Sequence, residues 1–215
     1  MCQIERYLKA TPAIDCETSS IKEKAQSLTE GQEEVAEKAK CLFYFVRDEI
    51  RYDPYSPLFP LHASAILERR SGFCTQKAIL LAALARAIGI PSRLGFADIR
   101  NYILTDKLAN LLGTDLIVYH GYTELYIDAK WVKATPTFDL KMCQENRIIP
   151  VEFDGKNHAV FHSHNLDGKL HIEYVRQHGH YEDVPLDDMI DAVVQAYGSK
   201  FLELWKTGFV GYTGR

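Results

Sequence analysis

Residues 78–88 are apolar almost all the way round a helix, and this stretch constrains the fold more than any other. A surface helix keeps one polar face, so a helix that lacks one must be surrounded by other elements. Gly89 ends the helical pattern and Pro91 prevents its continuation, while Cys74 stands at the beginning, two residues after Gly72. The sequence therefore predicts a central, buried helix with a cysteine in its first turn.

The composition is that of an ordinary globular protein. The chain has 215 residues, of which 47% are hydrophobic and 25% charged, enough to bury a substantial core. The net charge of −4 comes without a basic stripe, so we expect no nucleic-acid partner. No apolar run approaches the roughly 20 residues that span a bilayer, so we expect no membrane partner. The sequence does not indicate an oligomeric state.

The five cysteines point to a reducing compartment. They are odd in number, widely spaced and never in a Cys-x-x-Cys pair, which disfavours both a disulfide framework and a thiolate zinc site. Residues 1–10 contain no apolar signal core. We therefore expect a cytoplasmic protein with reduced thiols at Cys2, Cys16, Cys41, Cys74 and Cys143.

Hydrophobic periodicity places helices before strands. Helical spacing predicts helices over 32–50, 62–70, 74–88, 106–112 and 185–205. Strand-like patterns occupy 92–99, 117–127, 131–137 and 170–176, with a hairpin turn at 128–130. Helices first and a mainly antiparallel sheet afterwards indicate an α+β fold.

Cys74 is a candidate nucleophile because of its place at a helix N-terminus. Unpaired N–H groups and the positive end of the helix dipole favour thiolate over thiol, which predicts a lowered pKa. The same N–H groups are suited to hold an oxyanion when a carbonyl is attacked. The structural alternative is an ordinary buried cysteine without a function.

His120 is the best candidate for the base that a thiol nucleophile needs. It lies in a strand whose alternation fixes the direction of its imidazole, and together with Cys74 it forms a Cys–His pair. The following strand offers Asp139 and Thr135 as the group that orients the imidazole. Asp139 lies four residues after Thr135, so in an unbroken strand both would face the same side.

These residues lie in four ordered blocks that resemble the bacterial transglutaminase-like superfamily. The blocks cover about residues 35–140 and are FVRDEIRY at 45–52, the Cys74 helix at 72–93, HGYTE at 120–124 and WVKATPT at 131–137. The resemblance implies a papain-like, transglutaminase-like α+β fold with Cys74 as nucleophile, His120 as base and an acid or amide from the next strand. It also implies a single domain over 1–215, in which 141–215 is a C-terminal extension that completes the sheet and adds a helix.

Two positions depart from the family pattern. Where members commonly carry His-Ala-Trp, this chain has Gly121 and Tyr122 after the histidine. Where members carry Asp-Pro-Thr, this chain has Thr135-Pro136-Thr137, and Asp139 is the available substitute.

Three further residues are candidates for the oxyanion site or the cleft wall: Tyr52, Tyr122 and Thr135. For the tyrosine of the proline-rich loop, capping the core is the alternative role. Six histidines lie in the C-terminal third: His158, His162, His164, His171, His178 and His180. Two pairs among them have a spacing that could ligate zinc, but no cysteine and no His-Glu-x-x-His pattern accompanies them. We therefore interpret these histidines as surface residues. We expect no metal and no cofactor.

The resulting hypothesis is a cysteine protease or amidase, or an acyl transferase, acting on a peptide or protein amide through a Cys74–His120–Asp139 triad and a thioester. Hydrolysis is preferred because no separate acceptor-binding region is visible. The alternative hypothesis is a catalytically degenerate domain that binds a peptide, and it follows from the missing Asp-Pro-Thr acid.

Overall fold

The computed structural model describes residues 4–210, in which helices surround an antiparallel sheet, and this confirms the α+β class. The helices are α1 (Ser19–Thr29), α2 (Val35–Tyr44), α3 (Ala63–Arg69), α4 (Cys74–Ala87), α5 (Asp106–Leu112), α6 (Leu140–Glu145), α7 (Leu186–Tyr197) and α8 (Ser199–Lys206), with a 3₁₀ turn at Glu5–Leu8 and a π-helical turn at Phe45–Glu49. The strands are β1 (Arg51–Tyr52), β2 (Ser71–Gly72), β3 (Ser92–Asn101), β4 (Leu116–Ile127), β5 (Lys130–Ala134) and β6 (Ile172–Tyr181). None of the helices between residues 4 and 210 has both the length and the apolarity to cross a bilayer.

The main sheet has four strands in the order β5-β4-β3-β6, all antiparallel to their neighbours. The predicted β4/β5 hairpin is confirmed, and its turn places Asp128 and Ala129 at positive φ. β1 and β2 form a separate parallel pair, in which Tyr52 lies beside Gly72. This small pair brings the proline-rich loop next to the start of α4.

α4 is the buried centre of the molecule, as its apolar sequence predicts. Every residue from Thr75 to Arg86 is buried, and the helix packs on β4 and against α1 and α3. Its two buried cations have backbone partners: the Lys77 Nζ donates to the Arg47 carbonyl, and Arg86 donates to the Ser92 and Glu182 carbonyls. Buried charges are tolerated when they are paired in this way.

The helix predicted over 32–50 is α2 followed directly by the π-helical turn at Phe45–Glu49. The Arg47 carbonyl in this turn lies 2.9 Å from the Lys77 Nζ, and burial lowers the pKa of Lys77 to about 7. A hydrophobic pattern does not distinguish a π turn from an α turn, so the sequence does not indicate this contact.

Four predictions about the elements were wrong. The strand predicted over 170–176 runs over Ile172–Tyr181. β5 ends at Ala134 rather than at residue 137, because Pro136 has no N–H for the ladder. The chain then turns into α6, which begins after Asp139 and was not predicted. The single closing helix is two helices, separated at Gly198, whose φ of 84° and ψ of 161° are not helical.

β3 has an irregular neighbour on each side, and Asp98 contacts both. Opposite Asp98, β4 contains one extra residue at 118–119, where Tyr119 adopts a φ of 51°. On the other side β6 bulges at His178. The Asp98 Oδ1 accepts from the Tyr119 N–H at 3.0 Å and lies 2.7 Å from the His178 Nε2. The carboxylate therefore stabilises the unusual backbone immediately before His120.

Candidate active site

Cys74 begins α4 and follows β2 after one residue. The Gln76 Oε1 accepts a hydrogen bond from the Phe73 N–H at 3.3 Å, and the Gln76 Nε2 donates to the Pro57 carbonyl at 2.8 Å. These contacts fix the first turn of the helix on the proline-rich loop. The cysteine itself is partly exposed, at the mouth of a cavity.

The electrostatic setting of the Cys74 thiol is a competition between burial and hydrogen bonding. Burial raises the pKa of the thiol, whereas the N–H of Gly121, the hydroxyl of Thr75 (3.9 Å from Sγ) and the first-turn N–H groups act in the opposite sense. The net direction is upward. The predicted lowering of this pKa was therefore wrong in direction, because burial outweighs the surrounding hydrogen-bond donors.

Gly121 is the point at which β4 touches the start of α4. A Cβ at this position would lie 2.9 Å from the Thr75 Cα and 2.8 Å from the Thr75 Oγ1, closer than real Cβ contacts. Two residues later, the Thr123 Oγ1 donates to the Ala78 carbonyl at 2.8 Å, so this face of β4 packs along α4. The departure from the family's alanine thus permits a very close approach of the cysteine turn to the histidine strand.

We expect Gly121→Val to displace that turn. Its side chain would meet the Thr75 backbone, which cannot rotate away, and such overpacking costs about 1–3 kcal/mol. Urea unfolding should show this loss, and alkylation of Cys74 should change its rate with it. Gly121→Ala should show both effects at a smaller size, so an unchanged unfolding midpoint in both variants would contradict the close approach.

His120 lies on the face of β4 that is turned away from α4. Side chains alternate along a strand, and Gly121 and Thr123 face the helix. The imidazole packs against Phe161, with ring centroids 5.0 Å apart, and burial lowers its pKa to about 3. Its Nε2 is buried and has no hydrogen-bond partner between residues 4 and 210. The ring is therefore neutral at physiological pH.

The structure brings Cys74 to the backbone of the histidine strand. The N–H that approaches the thiol belongs to Gly121, the residue directly after His120. Within the described part of the chain, no hydrogen bond joins the thiol to the imidazole itself. Cys74 thus lies against the segment of β4 that carries His120, whereas the imidazole lies on the opposite face of that strand.

Asp139 has a structural role at the start of α6. Its Oδ1 accepts from the Met142 N–H at 2.8 Å, as a helix N-cap, and its Oδ2 accepts from the Tyr52 N–H at 2.9 Å. The strand that was expected to carry it beside Thr135 ends at Ala134. No hydrogen bond from His120 reaches it among the described residues.

Thr135, which stands at the family's acid position, and Thr137 are both buried. The Thr137 Oγ1 has no hydrogen-bond partner within residues 4–210, and the Thr135 hydroxyl lies beside that of Tyr174. The space behind His120 is instead aromatic: Phe161 stacks on Phe138 with centroids 4.7 Å apart. An apolar layer therefore occupies the neighbourhood in which an orienting acid was expected.

The two tyrosines proposed for the cleft lie on different sides of the sheet. Tyr52 lines the same cavity as Cys74, and its pKa is raised by burial and by the nearby thiol. Tyr122 extends across Gly95, where a Cβ would lie 2.3 Å from its ring, and donates to the Gln177 Oε1 at 3.1 Å. Tyr122 is therefore part of the sheet's outer face, and it is not among the residues that line the cavity.

The cavity at Cys74 has an empty volume of about 570 Å³, including its open mouth. It is lined by the first turn of α4 and by residues of α5, β4, α7 and α8. The lining is almost wholly apolar and includes Phe73, Val118, Met189, Val193 and Trp205.

The interpretation of the histidines as surface residues was wrong for two of them. His171 is buried against Phe138 and Phe161, and His178 is largely buried, stacked on Tyr119 and bonded to Asp98. In the part of the chain that the structure describes, no group of three His, Cys, Asp or Glu residues is arranged to hold a metal ion. The cysteines of this part, Cys16, Cys41, Cys74 and Cys143, are free, and Cys2 lies outside the described residues.

Comparisons with known proteins show to which family and fold the chain is similar. The sequence profile of the transglutaminase-like superfamily matches residues 22–136. Among solved structures, a putative cysteine protease from Cytophaga hutchinsonii superposes with a TM-score of 0.52 at 21% identity, over 64% of this chain and 43% of that one. The periplasmic domain of TgpA from Pseudomonas aeruginosa gives a TM-score of 0.44 at 20% identity, over 61% and 46%. The chain thus spans less than half of either structure, and no curated protein matches it.

Proposed function

The chain belongs to the transglutaminase-like superfamily, and from this membership we propose that it performs thiol-dependent acyl chemistry on an amide or peptide bond, with Cys74 as the nucleophile. The single observation that carries the proposal is the contact between the first turn of α4 and β4. There the thiol approaches the N–H of Gly121, next to His120, at the mouth of an apolar cavity. The name given to the Cytophaga hutchinsonii protein supports a protease-type reaction.

In the proposed reaction the Cys74 Sγ attacks the carbonyl carbon, and its proton passes to the neutral His120. The N–H of Cys74 and the hydroxyl of Tyr52, which lines the same cavity, stabilise the oxyanion. His120 then returns the proton to the leaving amine, the C–N bond breaks, and a thioester remains on Sγ. Water attacks the thioester, which releases the carboxylic acid and restores the thiol.

The pair begins this reaction as thiol and imidazole rather than as an ion pair. Burial raises the pKa of Cys74 and lowers that of His120 to about 3, so both groups are neutral near pH 7. Charge separation in such a site has to be stabilised by the substrate and by the N–H groups around Sγ. Proton transfer therefore accompanies attack. Because the imidazole packs on Phe161 on the far face of β4, this transfer requires a rearrangement of the strand next to Gly121 and not a side-chain rotation alone.

The proposal is tested by trapping the thioester. An activated peptide ester incubated with the protein should add one acyl group to Cys74, visible by intact mass and by peptide mapping, and hydroxylamine should remove it. Release by water should be faster than transfer to an added amine, in line with hydrolysis. Acylation that persists unchanged in His120→Gln, or that falls on another cysteine, would overturn the assignment.

A second candidate function, a peptide-binding domain without turnover, is favoured by one observation. The His120 Nε2 is buried without a hydrogen-bond partner within residues 4–210, so no described side chain orients the imidazole through that nitrogen. In that case peptides should bind with the same affinity to the native chain and to Cys74→Ala. No acyl-enzyme should then accumulate with any activated ester.

Asp139 contributes, in this proposal, by holding Tyr52 and capping α6. Asparagine caps a helix as well as aspartate does, so we expect Asp139→Asn to keep most of the activity. Asp139→Ala should lower the free energy of unfolding by about 1–2 kcal/mol, measured in urea. A loss of about 10⁴-fold in turnover for Asp139→Asn would instead identify it as the acid that orients His120.

A further inference from the structure

We propose that the cavity formed by α7 and α8 beside Cys74 is the binding site for an apolar side chain in the acyl part of the substrate. This inference rests on the proposed acyl chemistry at Cys74 and adds the substrate class to it.

The position of the cavity identifies which part of the substrate enters it. Cys74 and Thr75 belong to its lining, so any group attached covalently to Sγ is placed at its mouth. In the thioester the group attached to Sγ is the acyl part, whereas the leaving amine has departed. The cavity therefore receives the acyl part.

The lining accepts an apolar group and excludes a charged one. Apart from Thr75, its residues are apolar or aromatic, and none carries a charge. The most prominent polar group, the Tyr197 hydroxyl, is already engaged, since it donates to the Leu116 carbonyl at 2.9 Å and accepts from the Val118 N–H at 2.8 Å. A charged side chain would lose its hydration here, and the lining holds no residue of opposite charge to pair with it.

The cavity lies between the first turn of α4 and the helices α5, α7 and α8, a setting that suits one side chain rather than a length of peptide. Met189 and Val193 of α7 form the inner wall and are almost fully buried. They belong to a part of the chain beyond the matched residues 22–136, so this selectivity is supplied by the C-terminal helices.

The test compares three chloromethyl ketones, acetyl-Gly-Gly, acetyl-Phe-Gly and acetyl-Gly-Phe. In each, Sγ displaces chloride from the methylene carbon, the S–C bond forms, chloride leaves with the electron pair and the thiol proton passes to His120. We expect one phenylalanine reagent to alkylate Cys74 at least about tenfold faster than the Gly-Gly reagent, because burial of its ring stabilises the complex.

Val193→Trp fills the cavity and should reduce this rate ratio at least about tenfold. The matched control is Val194→Trp, on the neighbouring but 37% exposed position of α7, which should leave the ratio as in the native protein. Thermal unfolding establishes whether each variant is folded. If Val193→Trp does not fold, Val193→Ala enlarges the same space and should favour a naphthylalanine reagent over the phenylalanine one.

Two failures are distinguishable. If Cys74 reacts readily with iodoacetamide but the three reagents react equally fast, the cavity is not the acyl site and the proposed function stands. If Cys74 reacts with none of the four reagents in the folded protein, the proposed function itself fails, and the inference fails with it.

Discussion

Replacing Cys74 by alanine should lower turnover of any amide or ester substrate by at least about 10³-fold, as the removal of a nucleophile does in other hydrolases. No other cysteine in residues 4–210 combines exposure, a helix N-terminus and an adjacent histidine strand. Cys16 and Cys143 are buried, and burial raises the pKa of both. Turnover is measured with an activated peptide ester, and labelling with an iodoacetamide probe followed by peptide mapping.

Cys41→Ala is the matched control, because Cys41 is the other partly exposed free thiol within residues 4–210. It should retain native turnover and should remove only the label at residue 41. Native turnover in Cys74→Ala, or its loss in Cys41→Ala with the fold intact, would show that the nucleophile lies elsewhere.

Acidification should destabilise the fold well above the pH at which most carboxylates are protonated. His120 and His171 are about 2% and 1% exposed, and burial lowers their pKa values to about 3 and about 4. In the unfolded chain a histidine titrates near 6.5. As the pH falls below about 6.5, both histidines become protonated in the unfolded chain but stay neutral in the folded chain. The free energy of unfolding therefore decreases until the pH reaches the folded pKa values. Between pH 7 and pH 5 we expect the two histidines together to lower the free energy of unfolding by about 2–4 kcal/mol.

The measurement is urea unfolding at pH 7, 6 and 5. The double variant His120→Gln/His171→Asn should show a much flatter pH dependence, because neither replacement titrates. His164→Gln, at an exposed position, should follow the native curve. A native and a double-variant curve that run parallel from pH 7 to pH 5 would refute the assignment of acid sensitivity to these two histidines.

The central helix and the order of elements could be predicted because each rests on a local signal. The apolar stretch after Cys74 has no polar face, so it could only be central, and Gly89 with Pro91 fixed its end. The turn at Asp128 and Ala129 between two alternating segments defined the hairpin. Cys74 was identified because it begins a well-marked helix, and His120 because it lies within a well-marked strand.

The surroundings of His120 could not be predicted, because they depend on residues distant in sequence. Phe161 reaches the imidazole from the loop after α6, and no periodicity links the two. Pro136 could be read as a strand breaker, but only the structure shows that the chain then turns Asp139 into a helix cap. Met189 and Val193 belong to an amphipathic helix whose apolar face was readable, whereas its position over Cys74 was not.

The contacts of Asp98 with the two irregular strands determine which face of β4 carries His120. Strand side chains change face with every residue. Removing the extra residue of β4 opposite Asp98 would therefore shift the register of the strand by one. The His120 side chain would then face α4. Gly121, whose missing Cβ leaves room for Thr75, would face the other way. A carboxylate that does not contact Cys74, and that meets the cavity lining only through the backbone of Tyr119, thus determines which face of β4 carries the imidazole.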